Sequence, residues 1–140
     1  MSACFVTTDP AKIDREIVYR FLSQSYWARG IPRAVLERAL ANSLCFSLFD
    51  GEEQVGFARV VTDRASFAYL ADVFVLPSHR GRGLSKLLME TIVAHPDLQG
   101  LRRWVLVTAD AHGLYARYGF TPLAKGDGYM ERWDPDVYQR

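Results

Sequence analysis

Arg80-Gly81-Arg82-Gly83-Leu84-Ser85 is the stretch of this chain whose residue types and spacing suit chemistry most directly, and that chemistry is anion binding. A pyrophosphate carries charge that a desolvated site balances with several backbone N–H donors. Such donors converge at the N-terminus of a helix, where the helix dipole also favours an anion. Gly81 and Gly83 permit close backbone approach and left-handed φ, Ser85 is small and carries a hydroxyl donor, and Arg80 and Arg82 add positive charge. The amides from Gly81 through Lys86 are the expected donors. The same residues also read as a plain turn with two solvated arginines, because a glycine pair alone is a weak signal. Two other phosphate loops are excluded. Gly83-Leu84-Ser85-Lys86 lacks the Gly-Lys-Ser/Thr end of a P-loop, and Lys86 stands where a dinucleotide fingerprint requires its third glycine.

The elements around the loop decide whether it can work that way. Asp9-Pro10 is a helix-start pair, and Ile13, Ile17 and Phe21 recur at four-residue spacing, which predicts a helix over Pro10 to Ser23. Gly30-Ile31-Pro32 interrupts, and Val35, Leu36, Ala39 and Leu40 mark a second short helix ending near Asn42. Leu44 to Phe49, the turn Asp50-Gly51-Glu52-Glu53 and Gln54 to Val61 predict a hairpin, and Ser66 to Leu76 a third strand. After the glycine loop, Leu84, Leu87, Leu88 and Ile92 form one helical stripe that His95-Pro96 ends. Trp104 to Val107 suits a buried strand parallel to the one before the helix. Asp110 is placed to cap a helix from Ala111 to Tyr118, with Gly119 ending it. Phe120 to Leu123 and Tyr129 to Trp133 then predict a closing hairpin. The expected architecture is α/β (α+β), a mixed, mostly antiparallel central sheet of six to seven strands with four helices on both faces, in one domain over 1–140.

Composition narrows the partners. With 17 basic and 16 acidic side chains in 140 residues, the net charge of +1 is too small for a general attraction to nucleic acid or anionic lipid. No apolar run reaches membrane-spanning length and no secretory leader is evident, so a cytoplasmic location with no membrane partner is the default. Cys4 and Cys45 are read as bystander or buried thiols, and the scattered His79, His95 and His112 suggest no metal.

Against this frame the loop becomes specific. The run Val73-Phe74-Val75-Leu76-Pro77-Ser78-His79-Arg80-Gly81-Arg82-Gly83-Leu84-Ser85-Lys86-Leu87-Leu88 resembles the acetyl-CoA motif of the GNAT superfamily of N-acetyltransferases, Gln/Arg-x-x-Gly-x-Gly/Ala, with Ser85 where Gly or Ala is usual. Ala111-His112-Gly113-Leu114-Tyr115-Ala116-Arg117-Tyr118-Gly119-Phe120 is similar to that family's Ala-x-x-Leu-Tyr-x-x-x-Gly-Phe segment. The resemblance implies a GNAT-like acyl-CoA N-acyltransferase fold with strands splayed around the cofactor, and an acetyl group passed from acetyl-CoA, the cosubstrate, to a small-molecule amine. A protein or peptide acceptor and a noncatalytic acyl-CoA-binding module are the alternatives. It further implies that Val73, Phe74 and Val75 pair with pantetheine, that Arg80, Gly81, Arg82, Gly83, Leu84, Ser85 and Lys86 hold the pyrophosphate, and that Thr108 stands where many relatives have a cofactor-contacting asparagine. Tyr115 takes the position of the general acid. Asp72, beside the acyl-binding strand, is the first candidate for general base and Asp110 the second, against plain readings as a bulge carboxylate and a helix cap. Tyr26, Trp27 and Arg29, in the loop between the first two helices, are the candidate acceptor contacts, and an Arg29 that acts there favours a carboxylate or phosphate on the acceptor. A homodimer is compatible with the family and with the apolar C-terminal hairpin.

Overall fold

A computed structural model describes residues 3–139. Strand β1 (Cys4–Thr7) leads into a short 3-10 turn, Pro10–Lys12, and then helix α1 (Arg15–Leu22) and helix α2 (Arg33–Ala41). Strands β2 (Leu44–Asp50), β3 (Glu53–Thr62) and β4 (Phe67–Val75) follow, then helix α3 (Leu84–Ala94), strand β5 (Arg103–Leu106) and the five-residue helix α4 (His112–Ala116). The five strands lie in sequence order in one sheet, antiparallel from β1 to β4 and parallel between β4 and β5. The hairpin between β2 and β3 turns on Gly51 and Glu52, with Gly51 at φ +62°, as the Asp-Gly signal requires.

Period-two alternation sorts the side chains between two cores. Leu44, Phe46, Ala58 and Val60 face α3 and α4, meeting Leu88, Met89, Ile92 and Tyr115. Cys45, Phe57 and Phe74 face α1 and α2, meeting Val18, Leu22, Leu36 and Leu40. The helices therefore cover both faces of the sheet, as expected.

Three sequence expectations are corrected. The predicted six to seven strands are five among the described residues, because neither Phe120 to Leu123 nor Tyr129 to Trp133 forms a strand. Pro122 removes a ladder donor, and Gly126–Gly128 coils into a 3-10 turn between the two runs, leaving Met130 and Trp133 96% and 74% exposed. Conversely β1, only four residues long, is too short to announce itself by alternation. The helix predicted from Pro10 to Ser23 divides: Asp9 caps the 3-10 turn through Ala11 N–H, Ile13 goes extended, and Asp14 recaps the chain by accepting from Ile17 N–H.

The last correction concerns α4. Its N-cap is Ala111 rather than Asp110, and the Ala111 amide donates instead to Thr108 Oγ1 at 3.0 Å. Asp110 is therefore not occupied as a cap.

Gly56, on β3, lies between Leu48 of β2 and Val75 of β4 with little room for a side chain. A Cβ there would lie 2.7 Å from Leu48 Cδ2 and 2.9 Å from the Phe74 carbonyl oxygen. Leu48 can rotate, but the Phe74 backbone can yield only by moving β4. Gly56→Ala is expected to cost about 1–3 kcal/mol, the usual penalty of overpacking, seen as a lower urea midpoint at unchanged m-value.

Candidate active site

The β3–β4 register breaks between Phe57–Phe74 and Arg59–Ala71, so Asp72 and Val73 together oppose Ala58 alone. This is a β-bulge, and Asp72 takes the left-handed conformation at φ +56°, which Asp tolerates better than most residues. On the other side of β4 the parallel ladder with β5 ends at Leu70–Leu106. Beyond it the two strands diverge, and Val73 to Val75 of β4 face Val107 and Thr108 across a cleft of about 870 Å³.

Arg80 and Ser85 line the same cleft. Gly81 and Gly83 both have positive φ, +76° and +74°, and Gly83 serves as the N-cap of α3. Nothing lies within 4 Å of a Cβ built on either glycine, so they are required for conformation and for an open face rather than for internal packing. The first helical bond runs from Leu87 N–H to Gly83 C=O, and none of the six amides from Gly81 to Lys86 donates to an acceptor among the described residues. Arg80 is held in place by its Nε, which donates to the Val75 carbonyl at 3.0 Å. Arg82 and His79 both lean on Asp50, at 3.8 and 3.0 Å, while Lys86 points outward near Glu90.

Tyr115 lies on the opposite wall, 9% exposed, with no hydrogen-bond partner for its hydroxyl among the described residues. Burial pushes its phenol above the usual range, and the nearby Tyr26 and Asp110 add to that. Tyr115 is therefore a protonated donor at neutral pH. Thr108 and Asp110 line the cleft beside it, and Thr108 Oγ1, although accepting from Ala111, keeps its own proton to donate.

The far wall is aromatic. Phe74 stacks on Phe21 with centroids 4.0 Å apart, Phe21 meets Trp27 at 6.3 Å, and Tyr26 stands edge-on to Trp27 at 5.1 Å. Trp27 Nε1 donates to Asp72 Oδ1 at 2.8 Å, and Arg59 Nε donates to Asp72 Oδ2 at 2.7 Å. Both carboxylate oxygens of Asp72 are thus engaged, tying the bulge to the α1–α2 loop. The C-terminal segment closes this end. Tyr138 packs into the α1–α2 core, Gln139 Nε2 donates to the Arg29 carbonyl at 2.8 Å, and Glu131 and Trp133 line the cleft.

The GNAT acetyltransferase domain model matches residues 41–122, more than half of the chain. The chain belongs to the GNAT acetyltransferase family. It is also similar to a Gibberella zeae protein assigned by name to the acetyltransferases, at 33% identity over 80% of this chain and 75% of the relative. A GNAT family protein from Xanthomonas campestris pv. campestris superposes with TM-score 0.97 at 55% identity, covering 100% of this chain and 99% of that one. A Staphylococcus aureus protein of unknown function follows the same path at TM-score 0.74 and 26% identity, over 94% of this chain and 99% of its own.

As a GNAT acetyltransferase, the chain belongs to a family whose members use acetyl-CoA. Of the residues selected from sequence, the cleft gathers Tyr26, Trp27, Asp72, Val73, Phe74, Val75, Arg80, Ser85, Thr108, Asp110 and Tyr115. Gly81, Arg82, Gly83, Leu84 and Lys86, in the loop and first turn of α3 around Arg80 and Ser85, do not line it, and neither does Arg29, whose backbone carbonyl accepts from Gln139 Nε2. Sequence reasoning missed Phe21, Arg59, Tyr69, Glu131, Trp133 and Tyr138. Arg59 carried a signal, a lone cation within an apolar strand. The C-terminal residues carried none, because their place depends on how a nonrepetitive segment folds back. No group of three or more His, Cys, Asp or Glu side chains is placed to hold a metal among the described residues, and no described helix is long and apolar enough to cross a membrane.

Proposed function

We propose that this GNAT enzyme transfers the acetyl group of acetyl-CoA to a primary amine of a small molecule by direct attack within a ternary complex. The observation that carries the reading is the run of six unpartnered amides from Gly81 to Lys86, at the N-terminus of α3 and at one end of the cleft. The residues present fit a CoA pyrophosphate: donors converge, the helix dipole points its positive end outward, the space over both glycines is open, and Arg80 is anchored beside them. The splayed strands fit the arm that follows, since β4 beyond Leu70 offers backbone groups no longer used by β5.

Bound acetyl-CoA supplies an electrophilic thioester carbonyl. The chain's own groups do the rest. Backbone N–H groups of the Val73–Val75 stretch, pre-set by the bulge, hydrogen-bond to the carbonyl oxygen as negative charge gathers there. Tyr115 delivers its proton to the departing sulfur and is reprotonated by the proton that the nitrogen sheds as the amide forms. An alkylammonium must first lose a proton, and Asp110, uncapped and unpaired among the described residues, is the carboxylate we assign to take it, directly or through one water. Asp72, whose two oxygens are already bonded, holds the bulge and the Trp27 wall in place. The aromatic wall narrows the acceptor end and suits a small amine better than a folded protein surface.

The test combines a thermal shift with acetyl-CoA and a CoA-release screen over amines, amino acids and aminoglycosides. The expected result is a rise in Tm with saturating acetyl-CoA, and turnover with at least one amine. A Tm that does not move at saturating acetyl-CoA, with no CoA released by any amine, removes the reading.

A further inference from the structure

We infer that the acceptor carries a second centre, cationic at neutral pH, besides the amine that reacts, a diamine-like alkylammonium compound rather than an amine bearing a carboxylate or phosphate. The inference rests on the acetyl-transfer reading above and concerns what the acceptor half of the cleft selects.

The charged side chains on the cleft wall are Arg59, Asp72, Arg80, Asp110 and Glu131. Arg80 belongs to the pyrophosphate end, fastened to the Val75 carbonyl. Arg59 and Asp72 neutralise each other at 2.7 Å, and Arg59 spends a further N–H on Ser43 Oγ at 3.1 Å. Arg29, the cation that sequence offered for an anionic acceptor, does not line the cleft. The remaining charges are the carboxylates of Asp110 and Glu131, neither of which has an ion-pair or hydrogen-bond partner for its side chain among the described residues. A cleft lined by one sign of charge concentrates ligands of the opposite sign.

Two further features in the same cleft suit a ligand there. Tyr115, 9% exposed, lines the cleft and has no hydrogen-bond partner for its hydroxyl among the described residues. Tyr26, Trp27 and Trp133 line the cleft yet are 66%, 42% and 74% exposed, a concentration of aromatic surface that offers π faces to an alkylammonium.

The need for a second cation follows from charge balance. The reacting nitrogen must be neutral to attack, and its proton passes to one carboxylate, assigned above as Asp110. Glu131 then still lines the cleft as an anion, and a second ammonium on the acceptor is the group that complements it through the reaction. An acceptor carboxylate would meet Glu131 and Asp110 with no unpaired cation to receive it.

The experiment is CoA-release kinetics on three linear primary amines of matched length: an α,ω-diamine, the monoamine, and the ω-amino acid. Expected is a KM for the diamine about tenfold or more below that of the monoamine, rising with ionic strength, with the ω-amino acid poorest. Glu131 is exposed, with no side-chain hydrogen bond or ion pair to lose among the described residues, so substitutions there should leave the fold intact. Glu131→Gln is expected to abolish the diamine's advantage, and Glu131→Lys to shift preference toward the ω-amino acid. The thermal shift with acetyl-CoA should persist in both variants. An ω-amino acid used as well as the diamine, or a diamine-to-monoamine ratio unchanged in Glu131→Gln, overturns the inference while leaving acetyl transfer intact. No shift with acetyl-CoA and no turnover of any of the three overturns both.

Discussion

Tyr115→Phe is expected to lower kcat about 100-fold while leaving the acetyl-CoA thermal shift and the urea midpoint close to those of the native enzyme. General acid catalysis contributes roughly 10²- to 10⁴-fold. The lower end applies because a thiol with a pKa near ~8.5 is already a fair leaving group as the thiolate. Stability should hardly change, since the hydroxyl removed makes no hydrogen bond to a described residue and the ring remains in its packing against Phe120. The pH dependence supplies a second readout. Burial holds the phenol above its ordinary value, so the native enzyme keeps its proton donor through neutral and mildly alkaline pH and loses it only beyond the range in which a free phenol titrates. The variant should lack that alkaline decline. Linkage has the same sign: a phenol whose folded pKa is raised contributes stability fully present below the unfolded value, and loses it as pH climbs through the folded one. A variant with native kcat would take Tyr115 out of the reaction.

The parts of this site that were legible in the sequence are those whose role is fixed by local backbone chemistry. Gly81 and Gly83 announced left-handed conformations at a helix start and adopt them, and the Asp50-Gly51 turn announced its hairpin. The α3 stripe and the His95-Pro96 stop predicted a helix that ends at Ala94. What was not legible depends on partners distant in the chain. Asp110 looks like a helix cap until Thr108 is seen to accept the Ala111 amide, and Asp72 looks like a free carboxylate until Arg59 and Trp27 reach it from β3 and the α1–α2 loop. Tyr129 to Trp133 has strand-like residues, yet with Gly126–Gly128 and Pro122 before it the segment does not join the sheet, and it lays Glu131 and Trp133 along the cleft instead. Alternation registers which residues are able to form a strand. It does not register whether an edge is positioned to receive them.

Asp72 allows the two roles proposed for carboxylates at this site to be separated, and the expected result is that stability and pH dependence divide between variants of Asp72 and of Asp110. Asp72→Asn keeps the side-chain shape and the tolerance of positive φ, but leaves Arg59, whose side chain is 19% exposed, without its counter-charge. A loss of about 2 kcal/mol is expected, the scale of a hydrogen bond to a charged group. Asp72→Ala removes both bonds, strands a largely buried guanidinium and places a residue ill-suited to φ +56°, so about 3–5 kcal/mol should go. In both, the bulge that aims the Val73–Val75 amides loosens, and kcat should fall with the acidic limb of the pH–rate profile still present. Asp110→Asn should do the reverse: its side chain has no partner to lose among the described residues, so stability holds, while the acidic limb moves up toward the free amine's own deprotonation. An acidic limb moved up in Asp72→Asn and unmoved in Asp110→Asn would exchange the two assignments, and would require the Asp72 carboxylate to release Trp27 or Arg59 when the acceptor arrives.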